Sequence, residues 1–331
     1  MNSQPMHKVK QQRHFRLTRL SVLVCLIALL FSCTPAQEAP LRIGTNVWPG
    51  YEPLYLARSL GHYDSTSIKL VELTSASDVI HALRNGMLEG AALTLDEALL
   101  LLDDGFNHKV ILVFDFSNGG DALLAKPEIT QLSDIRGKRV AVEESAVGAV
   151  LLDSALNSVN LSVSDIIVTS CTSDEHLNCY EKNDAVVTFD PARSHILNEG
   201  ANLLFDSSQI PNKIVDVLVV SEKTLESHPD SLKALLAGYF KARQHMTARP
   251  LESAKLMSKR LQLTPEEVIE ALKTIRLPLL SENHRLLTGL NAPITKTANE
   301  LSQAMYKRKL LKKALIIENL SNPNFLPKEQ L

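Results

Sequence analysis

The stretch Leu41-Arg42-Ile43-Gly44-Thr45-Asn46-Val47-Trp48-Pro49-Gly50-Tyr51-Glu52-Pro53 sets the reading of this chain. Its first four residues read as a short strand, and residues 46–50 as the loop that ends it. Residues 54–60 follow as a helix closed by Gly61, since glycine takes the left-handed turn after a helix without steric cost. The alternation continues. Residues 68–73 read as a strand; Ser77 or Asp78 caps a helix with Val79, Ile80 and Leu83 on one face; 91–93 is a buried strand, 96–102 a helix and 109–114 a strand. A second series has strands at 138–142, 166–170, 185–189, 203–205 and 215–220, with helices at 146–156, 175–182 and 192–197. Elements that alternate in this way predict open α/β sheets. Beyond Ser221 the pattern is helical, at 229–246, 250–261, 265–273 and 295–316, and several of these helices begin on a proline.

Ahead of this body, Lys8, Lys10, Arg13, Arg16 and Arg19 precede an apolar run over residues 20–31. That run is too short to span roughly 30 Å of hydrocarbon, and a basic head before a short apolar core is the pattern of an export signal. The run ends in Leu30-Phe31-Ser32-Cys33, which resembles the lipobox of bacterial lipoproteins, although Phe31 departs from its usual residue. Residues 1–32 are therefore expected to be a lipoprotein signal peptide, Cys33 the lipidated residue and 33–40 a tether. Two or more acyl chains give the stable anchoring that a single chain does not. Thr34, rather than an aspartate, implies the inner leaflet of the outer membrane in a Gram-negative cell, with the protein facing the periplasm.

The full chain has net charge −2, and loss of the signal removes five positive charges and leaves −7. A mildly acidic body argues against nucleic-acid binding. Cys171 and Cys179 stand eight residues apart, and an oxidising compartment allows either a bridge or two buried thiols. No metal pattern, cofactor motif or nucleophile elbow is present, and the histidines have no ligand spacing, so no catalytic residue, cofactor or metal is expected.

Several segments in order resemble the solute-binding proteins of ABC importers of the nitrate, sulfonate and taurine type, which also include binding proteins for thiamine precursors. They are the opening 42–53, Asp134-Ile135-Arg136-Gly137-Lys138-Arg139-Val140-Ala141-Val142-Glu143, Ala185-Val186-Val187-Thr188-Phe189-Asp190-Pro191, and Val215 through Val220. The resemblance implies a two-lobed periplasmic-binding-protein fold (type II), with two α/β lobes facing each other across a ligand cleft. It puts the crossings near 125–128 and 220–223, so that lobe 1 is 41–126 with 221–331 and lobe 2 is 127–220. It also implies a monomer that captures a small solute and hands it to a permease with an ATPase subunit. A lipid-anchored sensor of the same fold, or an enzyme like the pyrimidine synthases, is the alternative.

Ligands of open α/β sheets bind at the carboxyl ends of strands, which selects nine residues here. Trp48 either covers the ligand or lids the core; Tyr51 shares its loop; Glu52 either pairs with an amine or supports the next helix. Thr94 offers a hydroxyl, whereas Asp96 reads as a helix-start acid. Asn118 and Asp121 flank two glycines that allow close backbone approach. Ser145 stands before a helix whose free N–H groups attract anions, but Glu143 and Glu144 oppose a bare anion there. Asp190 and Asp216 complete the set. An acid-rich pocket with no evident arginine favours an amine-containing ligand over a sulfonate-like or nitrate-like one, because an unpaired buried carboxylate is costly.

Overall fold

Pairing of strands, more than local sequence, decides where the lobes begin and end. The computed structural model describes residues 39–143 and 146–328; the signal, Cys33, most of the tether, Glu144 and Ser145 lie outside the described residues. In chain order the first lobe opens with β1 (Leu41–Thr45), α1 (Glu52–Ser59), β2 (Ile68–Glu72), α2 (Ala76–Arg84), β3 (Gly90–Thr94), α3 (Leu95–Asp103) and β4 (Lys109–Ser117). The second lobe holds β5 (Ala122–Ala125), β6 (Arg139–Val142), α4 (Ala146–Ser158), β7 (Ile167–Ser170), α5 (His176–Lys182), β8 (Ala185–Thr188), α6 (Ala192–Asn198) and β9 (Asn202–Asp206). The chain returns to the first lobe with β10 (Val215–Val220), α7 (Glu222–Ser227), α8 (Pro229–Ala248), α9 (Pro250–Leu261), α10 (Pro265–Lys273), β11 (Ile275–Arg276), α11 (Leu280–Leu287) and α12 (Pro293–Lys307).

The first sheet has the order β11-β4-β10-β3-β1-β2 and the second the order β7-β6-β8-β5-β9. The lobes are therefore crossed at 118–121 and 207–214, not at 125–128 and 220–223 as expected. The expected boundaries shift to match: β5 pairs antiparallel with β8 and β9, so it belongs to lobe 2. In turn β10 pairs antiparallel with β3 and β4, so it belongs to lobe 1. Both strands are wholly buried and apolar enough to suit either sheet, and only their hydrogen-bond partners distinguish the two. The polar segment at 118–121 looks like a turn between neighbours in one sheet and is the first crossing.

Each sheet buries both faces, as alternation of side chains across a strand requires. Around the second sheet, Leu123, Val140, Leu151 and Phe205 pack on one side. Leu124, Ala141, Tyr180 and Val186 pack on the other, with Cys171 and Cys179. Those cysteines are bridged, with Cα atoms 6.3 Å apart, inside the range a disulfide tolerates. The first lobe is centred on Ile43, Leu54, Leu93, Phe114, Val217 and Tyr239.

Two helical expectations differ. Ser75, not Ser77 or Asp78, caps α2, its hydroxyl accepting the Asp78 N–H at 3.1 Å. α12 ends at Lys307 instead of 316, and the chain then turns through Lys309 at φ +60°. α11, eight residues of which five are polar, is not among the expected helices. It is docked by Asn283, which accepts from Val113 N at 2.8 Å and donates to Val113 O at 3.1 Å.

Candidate functional site: an acid-lined cleft

The antiparallel insertion of β10 between β3 and β4 sets Asp216 opposite Thr94 on one side and Asp115 on the other. Three strand ends thereby place polar groups at one point. The loop after β1 covers it: Trp48 Nε1 donates to Asp115 Oδ2 at 3.1 Å, and the Tyr51 hydroxyl donates to Asp216 Oδ1 at 2.5 Å. Gly50 makes this approach possible, since a Cβ there would lie 1.8 Å from Asp115 Oδ2. Thr94 starts α3, and its N–H donates to Glu97 Oε2 at 2.9 Å, a capping arrangement that turns Glu97 inward.

The crossings are tied to each other beside this point. Ser117 Oγ and Ser207 Oγ are 2.7 Å apart, and Ser207 N donates to Asp121 O at 2.9 Å. Lobe 2 contributes Glu143 after β6 and Phe189 after β8, and the Phe189 ring meets Trp48 edge-on at 5.7 Å. The lobes also touch directly, through Ser173 Oγ to Thr74 O at 3.1 Å, Asn198 to Glu267 at 2.9 Å and Arg308 to Asp153 at 2.8 Å.

A small inner chamber of about 30 Å³ results. Its wall includes five of the expected residues, Trp48, Tyr51, Thr94, Asp121 and Asp216, together with Glu97, Glu143 and Phe189. No lysine or arginine lines it among the described residues. Asp121 Oδ2 and Glu143 Oε1 are buried without a hydrogen-bond partner. Past Phe189 the cleft widens into an outer cavity of about 800 Å³ that Phe189 also lines.

Burial governs the acidity of these carboxyls, because the charged form loses its hydration. Burial raises Asp121 to about 7, against a weaker pull from its Ser117 bond, with Asp96 and Asp190 adding to the rise. Glu143 also rises to about 7, first from burial and then from the charges of Asp174 and Asp78. Burial raises Asp115 to about 7. Asp216 is pushed well above the carboxylate range by burial and by Asp115 beside it, and Glu97 by burial and Asp96. These carboxyls therefore hold their protons to higher pH than exposed ones do.

The other expected residues lie elsewhere. Glu52 is buried and paired with Arg260, which also reaches Glu72 at 2.6 Å, Asn46 O at 3.1 Å and the Tyr55 ring at 3.6 Å. Its charge is thus consumed inside lobe 1 and does not face the chamber. Asn118 is exposed at the crossing, its N–H donating to Thr274 O at 2.9 Å. Asp190 is fully buried but turned to its own helix, accepting from Ser194 N at 3.0 Å and Ser194 Oγ at 2.6 Å. Ser145 lies outside the described residues. Sequence reasoning passed over Glu97 and Asp115. Glu97 follows Thr94 at cap spacing, which points to a helix start and not to a site. Asp115 did leave a signal: one acid inside the apolar strand Val110-Ile111-Leu112-Val113-Phe114-Asp115-Phe116 is costly to bury without a partner, and Trp48 supplies that partner.

The NMT1-like family matches residues 34–262, more than half of the chain. The chain belongs to the NMT1-like family. Among similar proteins, this NMT1-like chain is 24% identical over 233 residues to the taurine-binding periplasmic protein of Escherichia coli (strain K12), covering 68% of this chain and 72% of that one. The alkanesulfonate-binding protein SsuA of Xanthomonas axonopodis pv. citri, solved bound to MOPS, superposes with TM-score 0.72 at 19% identity, covering 85% of this chain and 96% of that one. The nitrate-binding protein NrtA of Synechocystis PCC 6803 superposes with TM-score 0.59 at 13% identity, covering 71% and 70%. The NMT1-like chain thus has the periplasmic-binding-protein fold that its sequence resembles.

Proposed function

We propose that this protein is the solute-binding subunit of an ABC importer, lipid-anchored at Cys33 and facing the periplasm, which closes around a small amine and delivers it to a permease served by an ATPase subunit. The family, the two-lobed fold and the kinship with taurine-, sulfonate- and nitrate-binding proteins support the transport role. The ligand class rests on one observation: a small chamber walled by Glu97, Asp121, Glu143 and Asp216 with no basic residue in its lining among those described. An anion there would meet carboxylates. An ammonium group would find acceptors that now lack partners, Asp121 Oδ2 and Glu143 Oε1, and charge-assisted bonds of this kind are the strong ones. Trp48 and Phe189 close the chamber with ring faces and edges that suit a cation's alkyl substituents.

Calorimetry with methylamine, n-butylamine, ethanesulfonate and nitrate tests the reading. Amine binding with no sulfonate or nitrate binding is expected; tight binding of ethanesulfonate with none of the amines refutes it. Deleting the gene and measuring amine uptake separates transport from sensing.

A further inference from the structure

The inner chamber, at about 30 Å³, has room for a head group and little more, whereas the adjoining outer cavity holds about 800 Å³. Whatever enters the chamber by an ammonium group therefore trails past Phe189, the residue common to both walls. The outer cavity has its own chemistry. Asp78 from lobe 1 and Asp174 from lobe 2 line it, beside the interlobe bond from Ser173 to Thr74. Both acids lie close enough to Glu143 to push its carboxyl upward, so acidic groups run from the chamber into the outer cavity. Arg260, the basic lysine or arginine of that wall among the described residues, is already committed to Glu52 and Glu72.

A second, independent feature is His176. It is 2% exposed, lines the outer cavity, and its Nε2 has no hydrogen-bond partner. Nδ1 lies 2.9 Å from Thr188 Oγ1, whose own proton points to Phe189 O at 3.4 Å. In the tautomer that protonates Nδ1, Nε2 keeps a bare lone pair. Burial lowers the imidazole to about 4, so it stays neutral beside a cation. A lone pair and two acids on opposite lobes call for one donor-rich positive group.

We infer that the ligand is a linear two-ended amine, with one ammonium group in the inner chamber, an alkyl stem across Phe189, and a second ammonium group among Asp78, Asp174 and His176 Nε2. This rests on the amine reading of the chamber and adds to it a second charge. The second group also bridges an acid of each lobe, so it favours the closed form.

Putrescine and n-butylamine, of equal stem length, are titrated into the full-length protein and into Asp174→Asn, an exposed position whose change leaves the fold intact, as a thermal melt checks. Putrescine is expected to bind about tenfold more tightly than n-butylamine, the worth of one charge-assisted hydrogen bond. Asp174→Asn should remove most of that advantage, read as the ratio of the two affinities in the variant against the ratio in the wild type. Equal affinities for the two amines, or equal losses in Asp174→Asn, overturn the second site while the amine reading stands. Binding of neither amine overturns both.

Discussion

Replacing Asp121 by asparagine gives the sharpest test of the acid chamber, because it should stabilise the empty protein while weakening the binding of amines. The Asp121 carboxyl stands at about 7 in the folded protein, raised first by burial, against 3.8 in the ordinary state. The folded state therefore keeps a proton that the unfolded chain gives up. Stability linked to that proton is fully present below about pH 3.8 and is lost as pH rises through 7. Three pH units at about 1.4 kcal/mol each amount to a cost on the order of 4 kcal/mol by pH 8. Asparagine imitates the protonated acid and does not bear this cost, so Asp121→Asn should gain up to about 4 kcal/mol at pH 8 and almost nothing near pH 4. An unpaired amide in place of the unpaired Oδ2 reduces the gain. Urea denaturation of the empty wild type and variant at several pH values measures it. The ligand arm runs the other way: amine affinity of the wild type should climb as pH rises towards 7, and the variant should lose both the affinity and its slope. A variant that is no more stable than wild type at pH 8, or one whose gain is the same at pH 4, refutes the account of Asp121 as a buried acid waiting for a cation.

Other perturbations bear on the frame around the chamber. Arg260→Ala leaves Glu52 buried without its partner, and a loss of about 3–5 kcal/mol in denaturant melts is expected; adding Glu52→Gln should recover much of it, and no recovery would disprove the pairing. Gly50→Ala forces a methyl group against Asp115, so it should lower the melting point and blue- or red-shift the fluorescence of Trp48, the single tryptophan; unchanged emission would show that the loop has room. Reducing the Cys171–Cys179 bridge should cost about 2–3 kcal/mol, and it should weaken ligand binding because Ser173 and His176 lie inside the bridged segment; intact affinity after reduction would separate that segment from the site.

Much of this protein is legible from its residues. The alternation of strand and helix from Leu41 onward, with glycines and prolines at the ends of elements, specifies α/β layers because each element must bury one apolar face. The acid-rich character of the site is likewise visible, as is Asp115 as a misfit in an apolar strand. Where the lobes divide is another matter. Residues 122–125, and 217–220 after Asp216, are apolar on both faces, so their pattern suits either sheet, and long-range hydrogen bonds alone assign them. Glu52 shows the same division from the other side: its position beside Trp48 and Tyr51 suggests a ligand contact, but Arg260, more than two hundred residues later, takes its charge. Sequence by itself determined most of the strands and helices, since these depend on local spacing and polarity. The tertiary structure alone decided which acids share one chamber and which are already paired, because that depends on strand register and on partners brought in from distant parts of the chain.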